Sequence, residues 1–205
     1  MIITDINAQR KKGRYNLFVD NVFYSGVGEE AVVKNGLKIG SEITKDKLEE
    51  VVTESEERSA FEKLISLISK QMYTKFEIKQ KLLNYGFNDS VVNSAIKKAE
   101  EYGYVNDELY AKLLVDAKKN KSKLEIKSIL YKKGINNSTI NKETEIIDEN
   151  QEKKNAAKHA EKYMKNKEIN QKTLAGLYGF LSRKGFISSS VNYALKKYKF
   201  DEFEE

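Results

Sequence analysis

The sequence predicts a mainly α-helical chain, in which three tandem three-helix units that resemble helix-turn-helix motifs form an elongated rod behind a small N-terminal cap containing a β-hairpin. Three observations favour this fold class. A repeat anchored on glycine recurs along most of the chain. Proline is absent from all 205 residues, so long helices meet no interruption. Hydrophobic residues make up 40% and charged residues 33%, which suits several small cores better than one large core.

The N-terminal part has the pattern of a small β-containing cap. The stretch RYNLFVDNVFYSG places strand-forming residues on both sides of Asp20 and Asn21, which both tolerate the left-handed backbone of a hairpin turn. The stretch MIITDI favours another short strand. Residues 29–35 then predict a short helix ended by Gly36, and Thr44 is expected to cap a helix that begins KDKLEEVV.

The repeat becomes visible when the chain is aligned on Gly86, Gly134 and Gly185, which are separated by intervals of 48 and 51 residues. Leucine stands four positions before each glycine, and isoleucine or leucine stands eight positions before it. An apolar residue follows each glycine directly, and another stands six positions after it. Two amphipathic helices joined by a tight turn explain this pattern. Each glycine is expected just after a helix end, where a positive φ is required.

Helix start signals support the same interpretation. Two capping boxes are predicted, each with a hydroxyl residue three positions before a glutamate: Thr74 with Glu77, and Ser122 with Glu125. In the third repeat Thr173 stands at the corresponding position, but Gly176 replaces the glutamate, so that box is incomplete. A further helix is expected before each helix pair, the first of them at residues 58–70.

Between the first two units, the segment GYVNDELYA is expected to form a junction. Gly103 ends one helix, Asn106 caps the next, and Asp107 suits the positive end of its dipole. The predicted domains are the cap at residues 1–53 and three-helix repeats at residues 54–105, 106–149 and 150–205, the last with an acidic tail. The residues expected to carry this architecture are Gly86, Gly103, Tyr104, Asn106, Asp107, Tyr110, Gly134 and Gly185.

The net charge of +6 is distributed unevenly. Residues 112–142 hold nine lysines and two acids, whereas residues 143–152 hold five acids and no base. Such alternation favours a localised contact with a polyanion, although a solvated face of a lysine-rich helix gives the same pattern. The predicted basic patch comprises Lys118, Lys119, Lys121, Lys123, Lys127, Lys132 and Lys133. A secondary basic group comprises Arg10, Lys11, Lys12, Arg14, Arg183 and Lys184.

The residues offer little for catalysis. The only histidine, His159, lies in a lysine-rich helix and is interpreted as a surface residue. The chain contains neither a Walker-type phosphate loop nor a nucleophile elbow. We therefore expect no enzyme activity, no catalytic residue, no cofactor and no metal site. The absence of cysteine, of a signal-peptide pattern and of a membrane-spanning stretch leads us to expect a cytoplasmic protein.

A DNA-reading role is the main alternative, because the apolar residue six positions after each glycine also fits a helix-turn-helix motif. Arginine, the best reader of guanine, is nearly absent from the second helices, which disfavours sequence-specific recognition. Tyrosines at helical spacing are interpreted as core residues, with stacking on bases as the alternative: Tyr73, Tyr85, Tyr102, Tyr104, Tyr110 and Tyr131.

Several motifs resemble those of a known family. LLNYGF followed by EEYGYVNDELYAK, and then LYKKGI and LSRKGF, resemble the signatures of the bacterial recombination regulator RecX family, whose members modulate RecA. The stretch RYNLFVDNVFYSGVGEEAVVKNGLKIGSEI resembles the N-terminal extension of its longer members, so the resemblance covers nearly the whole chain. Members often have arginine where this chain has lysine or Asn120, which implies weaker bidentate contacts here.

The resemblance implies a modular helical monomer that lies in the groove of the RecA–DNA filament. It implies inhibition of the ATPase, strand-exchange and co-protease activities of RecA, which limits recombination and the SOS response. The implied partners are RecA, its nucleoprotein filament and, weakly, single- or double-stranded DNA, with no membrane partner and no catalytic residues. Two other hypotheses remain open: a stand-alone helix-turn-helix transcription regulator, and a passive interaction scaffold.

Overall fold

The computed structural model describes residues 1–199 and shows a small antiparallel sheet followed by helices. The strands are β1 (Ile3–Ala8), β2 (Arg14–Val19) and β3 (Val22–Gly28), arranged in the order β1-β2-β3. Asp20 and Asn21 join β2 to β3 with φ values of 48° and 67°, so the predicted hairpin turn is confirmed. The additional strand predicted from MIITDI is confirmed as β1.

The helices belong to the cap and to three successive trios. The cap and the first trio contain α1 (Glu29–Lys34), α2 (Lys45–Ile68), α3 (Lys75–Asn84) and α4 (Asp89–Glu101). The second trio contains α5 (Asp107–Lys118), α6 (Lys123–Lys132) and α7 (Asn137–Thr144). The third contains α8 (Glu149–Met164), α9 (Gln171–Arg183) and α10 (Ser188–Lys199).

The predicted mainly helical fold with a small β-containing cap is confirmed. The chain divides into two compact units, residues 1–105 and the chain from Asn106 onward. The acidic tail predicted at residues 201–205 lies outside the described residues, and the elongated rod stays a prediction. None of the helices within residues 1–199 is long and apolar enough to cross a membrane.

Helix α2 is longer than the sequence pattern indicated. The first trio was expected to open at about residue 58, but the helix begins at Lys45 and passes through the predicted boundary between residues 53 and 54. Its N-terminal half buries Val51 in the core of the cap, and its C-terminal half buries Ala60 in the core of the first trio. The cap and the first trio therefore share one continuous helix.

Each trio has its own apolar core, and the cap has another. Every trio core contains the apolar residues found eight and four positions before the repeated glycine, and all of them are fully buried: Ile78 and Leu82, Ile126 and Leu130, and Leu177 and Leu181. Apolar surface removed from water stabilises the fold by about 25 cal/mol for each square ångström, so the burial of these residues contributes to the stability of each trio. The apolar positions that match between the three repeats in sequence are therefore also positions of their cores.

The repeated glycines end α3, α6 and α9 in the same way. Gly86, Gly134 and Gly185 have φ values of 89°, 75° and 80°, as the sequence predicted. In each copy the N–H of the residue after the glycine donates to the carbonyl of the buried leucine, at 3.3 Å after Gly86 and at 3.2 Å after the other two. This is the Schellman motif, in which a left-handed residue satisfies the last helical carbonyls.

The first predicted capping box is complete. The Thr74 hydroxyl accepts the Glu77 N–H at 3.2 Å, and the Glu77 carboxylate accepts the Thr74 N–H at 3.2 Å. In the second box, Ser122 accepts the Glu125 N–H at 3.1 Å, while the Glu125 carboxylate pairs with Lys121. Only the hydroxyl half of the second box is therefore formed.

In the third repeat, helix α9 does not begin where the sequence predicted. Helix α9 is capped by Asn170, whose side chain accepts the Thr173 N–H at 2.8 Å, so placing the cap at Thr173 is wrong. Gly176 then falls inside α9, facing α8. A Cβ at this position would lie 2.6 Å from the Tyr163 hydroxyl, so glycine leaves room for the Tyr163 side chain where the other repeats have glutamate.

Two glycine substitutions test the shared turn. Gly86→Ala meets no atom within 4 Å, so its cost is the strain of the left-handed backbone, about 1–2 kcal/mol. Gly185→Ala adds steric conflict, because its Cβ would lie 3.0 Å from Ser122 Oγ and 3.2 Å from Leu124 Cβ. We expect Gly185→Ala to lower the free energy of unfolding more than Gly86→Ala, as measured by urea denaturation followed by circular dichroism. Equal losses would show that the contact with Ser122 and Leu124 contributes nothing.

Candidate functional site

The structure separates the predicted basic patch into two groups. Lys118 ends α5 and Lys119 follows as its C-cap, whereas Lys132 and Lys133 stand at the end of α6. Helix α6 has 10 residues and is therefore about 15 Å long, which places the two groups near its opposite ends. Lysines at helix C-termini also stabilise the helix dipole, so part of their role is structural.

Three lysines of the predicted patch bind other groups of the protein. Lys121 pairs with Glu125 in the next turn of the chain. The ammonium of Lys123 donates to the Ile147 carbonyl at 3.2 Å, and that of Lys127 donates to the Asn141 side chain at 2.7 Å. These three side chains are half-buried. Lys123 and Lys127 attach α6 to α7 and to the segment after it, and all three lysines are less available to a partner.

The remaining exposed lysines form the candidate site. Lys118, Lys119 and Lys132 are exposed, and none of them has an ion pair in the described part of the chain. We call these three residues the lysine surface. Three such cations can contact phosphate oxygens or carboxylates at a low desolvation cost, because their ammonium groups remain in water.

Residues of the third trio hold the loop that follows Lys118 and Lys119. Asn155 of α8 is fully buried, and its side-chain amide donates to the carbonyls of Lys119 at 2.7 Å and of Lys121 at 3.0 Å. The buried Ser122 hydroxyl donates to the Lys184 carbonyl at 2.6 Å. The loop between α5 and α6 therefore has its backbone fixed from two helices of the next repeat.

The only histidine takes part in the same junction. His159 Nε2 lies 3.2 Å from the Asn120 carbonyl oxygen, and its ring centroid lies 5.4 Å from that of Phe186. The interpretation as a surface residue missed these contacts. Among residues 1–199, no group of three or more histidine, cysteine, aspartate or glutamate side chains could hold a metal ion.

A buried carboxylate completes this junction. Glu152 of α8 is only 3% exposed, and its Oε1 atom has no hydrogen-bond partner in the structure. Burial raises the pKa of Glu152, and the backbone N–H groups of Lys123 and Ile187 oppose that shift. The folded chain therefore favours the protonated form of this side chain more than the unfolded chain does.

The secondary basic group also divides into structural and exposed members. Arg14 is half-buried, and its guanidinium donates to Ser59 Oγ at 2.6 Å and to the Gly26 carbonyl at 3.0 Å, so it attaches the sheet to α2. Lys184 is half-buried at the end of α9. The exposed members are Arg10, Lys11, Lys12 and Arg183.

The structure confirms some of the predicted positions of the junction residues and tyrosines and contradicts others. Asn106 caps α5 by accepting the Leu109 N–H at 2.9 Å, as predicted, and Asp107 is the first residue of that helix. Tyr73 and Tyr110 pack against apolar cores, as the core interpretation required. That interpretation is wrong for the tyrosines that are more than half exposed: Tyr85 at 56%, Tyr102 at 57%, Tyr104 at 55% and Tyr131 at 69%.

Sequence reasoning missed Asn155 and Glu152. A usable signal was present, because residues 152, 155 and 159 are polar and lie on one helix face beside the buried Ala156 and Ala160. A polar residue on the buried face of an amphipathic helix indicates a specific hydrogen-bonding partner. The partner itself could not be identified, because it lies more than thirty residues away in another repeat.

Substitution of Asn155 tests the fixation of the loop. Asn155→Ala leaves the carbonyls of Lys119 and Lys121 without their donor, so we expect a loss of about 1–3 kcal/mol in the free energy of unfolding. Amide hydrogen exchange in the loop should also accelerate. The matched control is Asn192→Ala on the exposed face of α10, where alanine is expected to be neutral or slightly stabilising. A loss no larger than that of the control would contradict this assignment.

A pH series tests Glu152. Because its folded-state pKa is raised, its contribution to stability is fully present below the pKa of the unfolded chain, about 4.3, and is lost as pH rises through the folded-state value. Glu152→Gln keeps the neutral form at every pH. We therefore expect the free energy of unfolding of the wild type to fall, relative to this variant, as pH rises above about 4.3, the usual pKa of an unfolded glutamate. The exposed Glu145→Gln is the control for the removal of one carboxylate from the chain. Parallel pH curves for the wild type and Glu152→Gln would refute the assignment.

Family models, solved structures and curated relatives all show similarity to regulatory proteins named RecX. A family model described as the regulatory protein RecX N-terminal domain matches residues 1–44, and a model of the first three-helix domain of RecX matches residues 60–98. The crystal structure of a regulatory protein RecX is similar with a TM-score of 0.71 and 25% identity, covering 95% of this chain and 98% of that chain. The crystal structure of RecX from Lactobacillus salivarius, at 19% identity and a TM-score of 0.64, shares the fold.

Curated relatives extend the similarity to nearly the full length. Regulatory protein RecX of Clostridium beijerinckii is 31% identical over 201 residues, covering 95% of this chain and 94% of the relative. Regulatory protein RecX of Clostridioides difficile is 31% identical over 210 residues, covering 99% of both chains. Together with the shared three-helix architecture, these matches show that the chain belongs to the RecX family of regulatory proteins.

Proposed function

We propose that this regulatory protein binds RecA and the RecA–DNA filament in the cytoplasm, and that it inhibits the ATPase, recombinase and co-protease activities of RecA. Inhibition of these activities limits recombination and the SOS response. The observation that carries the proposal is the similarity to regulatory proteins named RecX along nearly the whole chain. The name of these relatives indicates a regulatory role, and the resemblance of the sequence motifs implied that the regulated process is recombination and the partner is RecA.

The lysine surface supplies a physical basis for contact with such a filament. Lys118, Lys119 and Lys132 are exposed, and the backbone of the loop that follows Lys118 is held by Asn155. Cations on a fixed backbone lose less conformational entropy on binding than cations on a mobile loop. A filament presents the same acidic groups at regular intervals, so weak contacts from several repeats can act together and raise the overall affinity.

The sequence-specific DNA-reading alternative receives less support. Helix α4 begins with Asp89, whose carboxylate pairs with Lys79 at 2.8 Å, so a negative charge stands where a recognition helix would approach the phosphates. Helix α7 has only 8 residues and carries no arginine. These features favour contact with a nucleoprotein surface over the reading of base edges.

The proposal is tested by the ATPase activity of RecA on single-stranded DNA, titrated with the wild type and with Lys118→Glu combined with Lys119→Glu. Each reversal converts an attraction to an acidic surface into a repulsion, so we expect the concentration for half inhibition to rise about 10-fold or more at low salt. The difference between the two proteins should shrink as salt is added, because exposed charges are screened.

The matched control is Lys38→Glu combined with Lys70→Glu, which makes the same change in net charge at two exposed lysines of residues 1–105. The control should inhibit RecA like the wild type. Equal inhibition by the wild type and the Lys118/Lys119 variant would remove the lysine surface from the mechanism. A wild-type protein that leaves RecA activity unchanged at every concentration would refute the proposed function itself.

A further inference from the structure

Three aromatic side chains form a row at the end of α4. The ring centroids of Phe61 and Tyr102 lie 6.1 Å apart, and those of Tyr102 and Tyr104 lie 5.6 Å apart with an interplanar angle of 57°. Tyr102 and Tyr104 are each more than half exposed, whereas Phe61 is half-buried against the core of the first trio. We call these three residues the aromatic ladder. The rings of Tyr102 and Tyr104 are therefore the two that a partner can reach.

The backbone fixes the positions of both tyrosines. Gly103 stands between them with a φ of 71°, and its N–H donates to the Glu100 carbonyl at 2.9 Å. The Tyr104 N–H donates to the Ala99 carbonyl at 2.8 Å, which completes a Schellman motif. The two rings therefore project from one tight, hydrogen-bonded turn, and little backbone entropy is lost when a partner binds them.

The fold itself does not explain the exposure of Tyr104. At the Schellman turns of Gly36, Gly86, Gly134 and Gly185, the residue after the glycine packs into a core. Phe87 is half-buried, and Leu37, Ile135 and Phe186 are 7%, 3% and 5% exposed. In the present turn the following residue, Val105, is buried instead, at 5% exposure. Tyr104 thus makes no comparable contribution to an apolar core, although a large aromatic ring occupies the position.

A charged groove adjoins the ladder. A cavity of about 740 Å³ lies between the cap, α2 and α4, and both Phe61 and Lys98 line it. The ammonium of Lys98 lies 5.0 Å from the centroid of the Phe61 ring. Lys11 and Lys12 stand on the cap side of the same groove. These three lysines have no ion pair within the part of the chain that the structure describes.

Acidic residues also line the groove, and most of them are already paired. Five glutamates stand on its walls: Glu29, Glu30, Glu54, Glu57 and Glu62. Glu30 and Glu62 pair with Arg58, and Glu54 pairs with Lys34. The groove is therefore only weakly electropositive. A ligand bound here gains more from the aromatic rings than from long-range attraction.

We propose that the aromatic ladder binds unpaired bases of single-stranded nucleic acid by stacking, with Lys98, Lys11 and Lys12 approaching the phosphates along the groove. Aromatic faces held by a fixed turn near exposed lysines suit the binding of single strands without reading their sequence, because every base has a flat π-face. Duplex DNA hides these faces within its own stack, so the ladder prefers single strands. The dependence on salt is shallow, because few phosphates are neutralised.

This inference concerns a different surface from the lysine surface, and its test needs no RecA. Binding of a labelled oligothymidine to the full chain is measured by fluorescence anisotropy at raised salt, where contacts of the exposed lysines are screened. We expect Tyr102→Ala combined with Tyr104→Ala to weaken binding about 10-fold or more. Tyr102→Phe combined with Tyr104→Phe keeps both ring faces and should bind within about 2-fold of the wild type.

The chain contains a closely matched control. Tyr85 precedes Gly86 at the end of α3 as Tyr102 precedes Gly103 at the end of α4, and it is equally exposed at 56%. Its ring is covered by the ammonium of Lys63, 3.9 Å from the centroid, and it belongs to no aromatic row. Tyr85→Ala should therefore bind oligothymidine like the wild type. Circular dichroism verifies that each variant retains its helical content.

A second readout reports stacking directly. The chain has no tryptophan, so Tyr104→Trp introduces a single indole whose emission should be quenched when unlabelled oligothymidine binds. Unchanged affinity of the double alanine variant overturns the inference, even if the ladder then proves to contact a protein segment. Equal losses for the alanine and phenylalanine variants also overturn it, because the ring face would not be the binding element. Neither result bears on the inhibition of RecA by the lysine surface.

Discussion

Each helix trio depends on a turn whose backbone conformation only glycine adopts without strain. The glycine reverses the chain, and the next N–H donates to the carbonyl of a leucine that is itself fully buried in the trio core. The same leucine thus supplies apolar burial through its side chain and turn closure through its backbone. Because core and turn meet in one residue, the three copies keep their spacing around the glycine although most other positions differ.

Polar contacts add what the repeated apolar cores cannot supply. In the unit that starts at Asn106, buried Asn155 and Ser122 connect the second and third trios through backbone carbonyls, and Glu152 lies buried beside them. Such contacts lose most of their value if the register shifts, because an unpaired buried polar group costs free energy. They make this arrangement of the trios more specific than apolar packing alone, and they fix the loop that follows the exposed Lys118 and Lys119.

Local signals identified most of the architecture in advance. The glycine turns, the cap at Thr74, the hairpin at Asp20 and the paired apolar positions all follow from interactions within a few residues. The continuous α2 was missed because its polar middle interrupts the apolar stripe where the helix passes from one core to another. The partners of Asn155 and the exposure of Tyr104 depend on contacts between distant segments, which no local pattern encodes. For the same reason, the lysine cluster in the sequence did not reveal that Lys123 and Lys127 are engaged internally.

The unbroken course of α2 ties the cap to the first trio through helical geometry. One residue inserted into its polar middle would advance everything downstream by about 1.5 Å and rotate it by about 100°. The faces that bury Val51 and Ala60 would then no longer point toward their two cores at once. Within residues 53–59, a change in length is therefore under stronger constraint than the identity of most positions. Ser55 and Ser59 are the exceptions, because their hydroxyls accept hydrogen bonds from the Gly28 N–H and from Arg14.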